Sequence, residues 1–296
     1  MTHDEFQIIA ADHGFQRVYF TNPMKFDLGA NRFHLIADAL SSFPHATCIA
    51  VLVYPYAPFT SEERIPAYYL ASNRAYHAVN RIISELASAG IRAEKAAIPI
   101  KSQLECSHVG VKCKNSLISI APFGTRTVLL ALAIDGLSPI EYDERGEVCG
   151  DCSLCIRSCP MGAIGQDGLN ASMCMRLHMD TAMHPDWVRN VQRTYIGCEI
   201  CQYACKRNAA LTNTKPADEV ASAFELKRLI SGDAAEARGF VGRNMSGNGK
   251  LTAEAIAFAA RDGLYEEEIL AASDSPFEAV QDAIRYAKFV GGIADE

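Results

Sequence analysis

The stretch Cys149-Gly-Asp-Cys152-Ser-Leu-Cys155-Ile-Arg-Ser-Cys159-Pro160 sets four thiols at C-x2-C-x2-C-x3-C spacing and ends in proline. Downstream, Cys174 stands alone, and Cys198, Cys201 and Cys205 follow as C-x2-C-x3-C. Thiolate is a soft ligand, and four thiolates complete the tetrahedral iron corners of one cubane cluster. Eight suffice for two. In two-cluster modules with this proline-terminated run, the fourth cysteine ligates the other cluster. That rule groups Cys149, Cys152, Cys155 and Cys205 around a first [4Fe–4S] cluster. It leaves Cys159, Cys174, Cys198 and Cys201 for a second. Two structural zinc sites or a disulfide framework are the competing readings. Zinc usually takes paired C-x2-C units, whereas this run places three cysteines in seven residues.

The 296 residues, 49% of them hydrophobic, allow one large domain or two to three smaller ones with a sizeable core. No apolar run is long enough to span a bilayer, so no membrane association is expected. The N-terminus, Met1-Thr2-His3-Asp4-Glu5-Phe6, has neither a basic n-region nor twin arginines, which points to a cytoplasmic chain. Eleven cysteines in a reducing compartment indicate metal binding over disulfides. Of the three outside the motif, Cys48 reads as core, while Cys106 and Cys113 flank a lysine-rich turn. The net charge of −7 opposes non-specific nucleic-acid binding. From residue 252 to 296 ten acidic residues face three basic ones, an acidic tail that would repel RNA.

The first half alternates helix-like and strand-like segments. Residues 4–11 have helical character, and 15–21 read as a strand. Residues 47–54 (TCIAVLVY) form an apolar run of strand length, stopped by Pro55 and Pro58. Apolar residues recur at helical spacing over 66–89, with Pro66 in the first turn and Gly90 at the stop. Residues 91–100 and 127–135 are two further expected strands. Strands apolar throughout are covered on both faces, which implies an α/β sheet domain over residues 1–140. A cluster module follows over 141–213, its folding coupled to cluster binding. Residues 214–296 look helical, with helices expected over 223–230, 252–261, 265–272 and 277–290. The glycine-rich segment 242–250 invites a phosphate-loop reading, but Asn248 stands where that motif needs lysine. It reads as a helix connector.

These residues resemble a family. The cysteine run with its Ile164 continuation, Cys174, and Ile196-Gly-Cys198-Glu-Ile-Cys201-Gln-Tyr-Ala-Cys205 look like epoxyqueuosine reductase. Upstream, Tyr54-Pro-Tyr-Ala-Pro58, Ile65-Pro-Ala-Tyr-Tyr69 and Arg74-Ala-Tyr-His77 are similar to that family's N-terminal domain. So are Val109-Gly110, Lys114-Asn115-Ser116 and Pro122-Phe-Gly124-Thr125. Downstream, Gly242-Arg-Asn-Met is similar to the start of its first helical, HEAT-like repeat.

The resemblance implies a cobalamin-type corrinoid held without a histidine lower ligand, next to the proximal cluster. It implies electrons passing through both clusters to cobalt, which then reduces a substrate. It also implies a low-potential donor such as ferredoxin or flavodoxin, and His77, Lys114, Asn115 and Thr125 as corrinoid contacts. Three features depart from the family. Its proton-donating aspartate is missing from Pro99-Ile-Lys-Ser-Gln-Leu-Glu-Cys-Ser-His108, where Glu105 or Lys101 stands as the substitute acid. Met175-Arg176-Leu177-His178 after the lone cysteine is unusual, with Arg176 and His178 placed to tune a cluster. The tail is short and acidic where the family reads tRNA with basic repeats. The expected activity is therefore a two-cluster, corrinoid-dependent reductase of a small-molecule or modified-base substrate, with tRNA disfavoured. A dicluster electron carrier without corrinoid and a true epoxyqueuosine reductase are the alternatives.

Overall fold

The computed structural model describes every residue except 30–33, 61–62, 180–182 and 293–296, and the backbone alone at 244–245. The chain forms two compact units that alternate along it. One comprises Met1–Tyr56, Arg74–Cys152 and Cys205–Leu211; the other comprises Ala57–Asn73, Ser153–Ala204 and Thr212–Glu296.

The first unit opens with α1 (His3–Asp12), started by a capping box. The Thr2 hydroxyl accepts the Glu5 N–H at 3.2 Å, and the Glu5 carboxylate accepts the Thr2 N–H at 2.7 Å. There follow β1 (Arg17–Thr21), α2 (Ala39–Ser42), β2 (Cys48–Pro55) and the long α3 (Ala67–Ser88), which belongs to this unit from Arg74 onward. Then come β3 (Ala93–Lys95), α4 (Ile100–Cys106), the hairpin strands β4 (Val111–Lys112) and β5 (Ile118–Ser119), and β6 (Thr127–Ile134). Four strands make one sheet in the order β1-β2-β6-β3, antiparallel at every pairing. The run TCIAVLVY supplies its inner strand β2, with Val51 opposite Tyr19 on one neighbour and Ala131 on the other. Cys48 to Val53 are fully buried, so both faces of this strand are covered as its unbroken apolar character implied, and Cys48 is core. One face joins Ile49, Val51 and Val53 to Ile98 and Leu104.

The strand expected over residues 91–100 is shorter than its apolar pattern. Only Ala93–Lys95 pairs with β6, because Pro99 offers no N–H and instead caps the start of α4.

In the second unit the cysteine module contains α5 (Leu154–Ser158), the hairpin β7 (Ile164–Gly165) and β8 (Gly168–Leu169), then α6 (Met175–His178), α7 (Asp186–Val191) and α8 (Ile200–Tyr203). Helices then continue as α9 (Asp218–Ala223), α10 (Leu226–Ile230), α11 (Ala235–Val241), α12 (Arg243–Ser246), α13 (Lys250–Asp262), α14 (Glu266–Ala271) and α15 (Glu278–Gly291). Residues 223–230, expected as one helix, divide in two. The Glu225 carboxylate accepts the N–H groups of Lys227 (3.3 Å) and Arg228 (3.0 Å), so a new helix starts there. The glycine-rich segment, expected as a plain connector, itself carries α12, and only Gly247 to Gly249 join it to α13; Gly249 (φ 74°) lies so close to Phe277 that a Cβ would stand 2.8 Å from it. Among the described residues no helix is long and apolar enough to cross a membrane.

α13 is buried from Lys250 to Ala260 and carries a carboxylate, Glu254, with no solvent exposure. The His184 ring approaches Glu254 at 2.8 Å, and the Gln192 amide donates to its other oxygen. Nearby, buried Arg189 pairs with Asp282 at 2.8 Å, and the Tyr286 hydroxyl donates to Asn190 at 2.7 Å. Polar ties of this kind hold α7 of the cysteine module to α13 and α15.

Candidate metal centre

Within the first unit, the β4–β5 hairpin meets the start of the cysteine run and the segment after Cys205. The hairpin turn closes with the Cys113 N–H on the Leu117 carbonyl and the Ser116 N–H on the Cys113 carbonyl, each 2.8 Å. Ser116 takes a left-handed φ of 62° to make it. The turn aims Lys114 at the cysteine loop: its Nζ donates to the carbonyls of Gly150 (2.6 Å) and Cys152 (3.1 Å). Burial would raise the Cys149 thiol, but the Lys114 backbone N–H, the Cys113 thiol and the Arg207 guanidinium outweigh it and hold Cys149 below the ordinary thiol range. Cys113 itself is pushed up to about 12, first by burial and then by Cys149, with Cys205 adding to it. Beyond Cys205, Arg207 donates to the Glu147 carbonyl. The Asn208 carbonyl oxygen accepts the Thr125 N–H at 2.8 Å, and its amide donates to the Thr125 hydroxyl at 3.0 Å. Gly124 (φ 62°) makes room for this, since a side chain there would collide with Asn208 and the Arg207 carbonyl.

In the second unit, Cys159 ends α5, Cys174 starts α6 and Cys201 lies on α8. Cys198 is pushed up to about 11, chiefly by burial and further by Cys174 and Cys159, so these thiols crowd one another. Met175, Met179, Val188 and Ile200 form the small core against which Cys198 packs. So few apolar residues suit a module whose inorganic core takes part in its folding. Among the described residues no three His, Cys, Asp or Glu side chains form a group fit to hold one metal ion. A cubane makes a different demand, because each of its thiolates binds a different iron.

The remaining expected site residues separate into two groups. Lys101, Lys114 and Asn115 come to the same hairpin turn. Lys101 Nζ donates to the Ser116 carbonyl at 2.8 Å; although the residue is largely exposed, burial of its ammonium, followed by Lys112, lowers it from the ordinary lysine range. Asn115 is 4% exposed; its Oδ1 accepts the Leu117 N–H at 3.2 Å, while its buried Nδ2 has no hydrogen-bond partner among the described residues. His77 and Glu105 face solvent on α3 and α4, His77 edge-on to Tyr76 with centroids 5.5 Å apart. Thr125 is engaged with Asn208. In the module, the Arg176 guanidinium lies 5.4 Å from the Tyr69 ring, and the His178 Nε2–H donates to the Ser172 carbonyl at 2.9 Å. Cys113, Arg207 and Asn208 were not among the residues the sequence singled out as ligands or contacts. Only Cys113 carried a signal, its place beside the lysine-rich turn.

Residues 148–208 match the 4Fe-4S double cluster binding domain family, which spans all eight motif cysteines. The curated epoxyqueuosine reductase of Cyclobacterium marinum is 34% identical over 106 residues, 34% of this chain and 34% of that protein. That of Staphylococcus aureus is 28% identical over 171 residues, 52% of this chain and 44% of that protein. The chain therefore matches less than half the length of these curated relatives. A crystal structure of epoxyqueuosine reductase with a tRNA-Tyr epoxyqueuosine-modified stem loop shares the fold, with a TM-score of 0.77 over 99% of this chain and 90% of that one at 21% identity. The resemblance read from the motifs holds. So does the fold: a mixed α/β N-terminal part, a double [4Fe–4S] module and a helical C-terminal region.

Proposed function

We propose that this chain is an iron–sulfur reductase that feeds electrons through two [4Fe–4S] clusters to a corrinoid at its N-terminal α/β part. Cys149, Cys152, Cys155 and Cys205 would hold the first cluster, and Cys159, Cys174, Cys198 and Cys201 the second. The observation that carries the proposal is Lys114, whose ammonium clasps the Gly150 and Cys152 carbonyls from the hairpin turn. One charged side chain thus fixes the first ligand loop against the hairpin turn that bears Asn115 and receives the Lys101 hydrogen bond.

The buried Asn115 Nδ2 is a donor awaiting an acceptor, since buried polar atoms are rarely left unpaired. A polar edge of a corrinoid would satisfy it. When bound, the clusters supply single electrons and the corrinoid the reducing centre. The chain's own residues place the ligand loop, orient the cofactor and provide a proton. Lys101, lowered from the ordinary lysine range and held at the same turn, suits that last role better than exposed Glu105. A low-potential carrier such as ferredoxin or flavodoxin would supply the electrons.

Anaerobically reconstituted chain should bind cobalamin stoichiometrically and give a cob(II)alamin paramagnetic signal under low-potential reductant. Full clusters without cobalamin binding would leave a dicluster electron carrier. For the substrate, the acidic residues after position 252 weigh against tRNA, whereas the fold shared with a tRNA-bound reductase favours epoxyqueuosine. Complementation of a queuosine-deficient strain separates these: restored queuosine establishes the tRNA substrate, and failure with well-folded protein points to another acceptor.

A further inference from the structure

We infer that Trp187 and His178 form the edge at which an external one-electron carrier protein reduces the second cluster. This rests on the reading that Cys159, Cys174, Cys198 and Cys201 hold that cluster. Cys174 is the isolated ligand of the set, held between the short 3-10 turn Ala171–Met173 and α6. His178 closes α6 one turn beyond Cys174, and its bond to the Ser172 carbonyl joins the chain on both sides of the ligand. The same ring meets Trp187 edge to face, with centroids 4.7 Å apart.

Trp187 belongs to α7, whose Val188 is fully buried in the small core that also receives Cys198. The helix is seated on the module, so the indole has a fixed place. Yet Trp187 is 38% exposed, and Met173, adjacent to Cys174, is 44% exposed. The chain has a single tryptophan, and the fold places it at the surface, one contact from a ligand turn. Tryptophan and methionine are enriched where proteins dock, and a central tryptophan often dominates the contact. A continuous path runs from solvent through Trp187, His178 and the Ser172 carbonyl to the Cys174 turn.

The step is a single electron transfer. An anionic flavin hydroquinone, already protonated at N5, loses one electron and becomes the neutral semiquinone with no proton transferred, and the cluster gains that electron. No bond forms between the proteins, and neither Trp187 nor His178 is oxidised. The rings serve as anchor and bridge.

The test uses anaerobic holoprotein with full iron and sulfide, mixed with flavodoxin hydroquinone and followed by bleaching of the cluster absorbance. Dithionite, a small reductant able to approach any exposed sulfur, is the comparison. Trp187→Ala should slow reduction by flavodoxin about tenfold, the loss typical of one aromatic anchor. Its dithionite rate, iron content and midpoint potential should match wild type. Trp187→Phe should recover most of the flavodoxin rate. Unchanged flavodoxin kinetics in fully loaded Trp187→Ala would overturn the inference. So would equal slowing with both reductants, which marks damage to the cluster. Wild-type chain without iron would instead remove the cluster reading beneath it.

Discussion

Cys149 and Cys198 are each expected to bind iron, yet their surroundings push them in opposite directions. Around Cys149, a backbone N–H, a thiol and a guanidinium overcome burial and favour thiolate. Around Cys198, burial and two neighbouring thiols favour the protonated form. The difference follows from what each unit contributes. The first surrounds its ligand loop with protein donors from a hairpin and from the residues after Cys205. The second sets the Ile200 N–H against burial, two neighbouring thiols and a few apolar side chains. The first loop is held by hydrogen-bond donors, the second by burial on a small core.

The largest effect expected to break this contrast comes from removing a ligand. Cys152→Ala should abolish the first cluster, lowering iron to about half, because each cubane needs four thiolates. Iron analysis with paramagnetic resonance checks it, and undiminished iron would show the ligand grouping to be wrong. Next, Glu254→Ala leaves His184 and the Gln192 amide without their carboxylate in a fully buried setting. Breaking such a network should cost about 3 kcal/mol, read as a lower denaturant midpoint followed by helical circular dichroism. Lys114→Met removes two charge-assisted hydrogen bonds from the first ligand loop, roughly 2 kcal/mol in all, and should speed release of the first cluster to a chelator while sparing the second.

A smaller effect sharpens the comparison directly. In the metal-free chain, Cys149 should alkylate faster than an ordinary thiol at a given pH, whereas Cys198 should react only as pH approaches about 11. Peptide mass spectrometry across a pH series resolves the two, and equal reactivity would erase the distinction. The smallest effect concerns acid. Burial alone would raise Asp282, but Arg189 and then Arg285 outweigh it and hold it below the ordinary carboxylate range. Its contribution is present above the unfolded carboxylate value and lost as pH falls through the lowered one. Thermal stability of the helical region should therefore decline in acid, and Asp282→Asn should flatten that decline.

Much of this was legible in order along the chain. Cysteine spacing identified the module because ligand geometry is imposed by the cofactor and repeats wherever it binds. β2, β6, α3 and α13 were visible because period and apolar run length are local properties. The breaks at Glu225 and Pro99 were less so: a side-chain cap and a missing N–H compete with an otherwise continuous apolar pattern. The candidate site divided in the same way. Lys101, Lys114 and Asn115 met at one turn, whereas His77 and Glu105, equally plausible by position, faced water.

The amino-acid order by itself determined the double-cluster module with its eight spaced cysteines, the approximate extents of the main helices and strands, and the resemblance to epoxyqueuosine reductase. Only the tertiary structure decided the antiparallel order β1-β2-β6-β3, the meeting of Cys113 and Arg207 with Cys149, the engagement of Thr125 by Asn208, the burial of Glu254 against His184, and the approach of His178 to Trp187. Spacing and periodicity act over a few residues. These pairings join positions whose encounter depends on how the whole backbone closes.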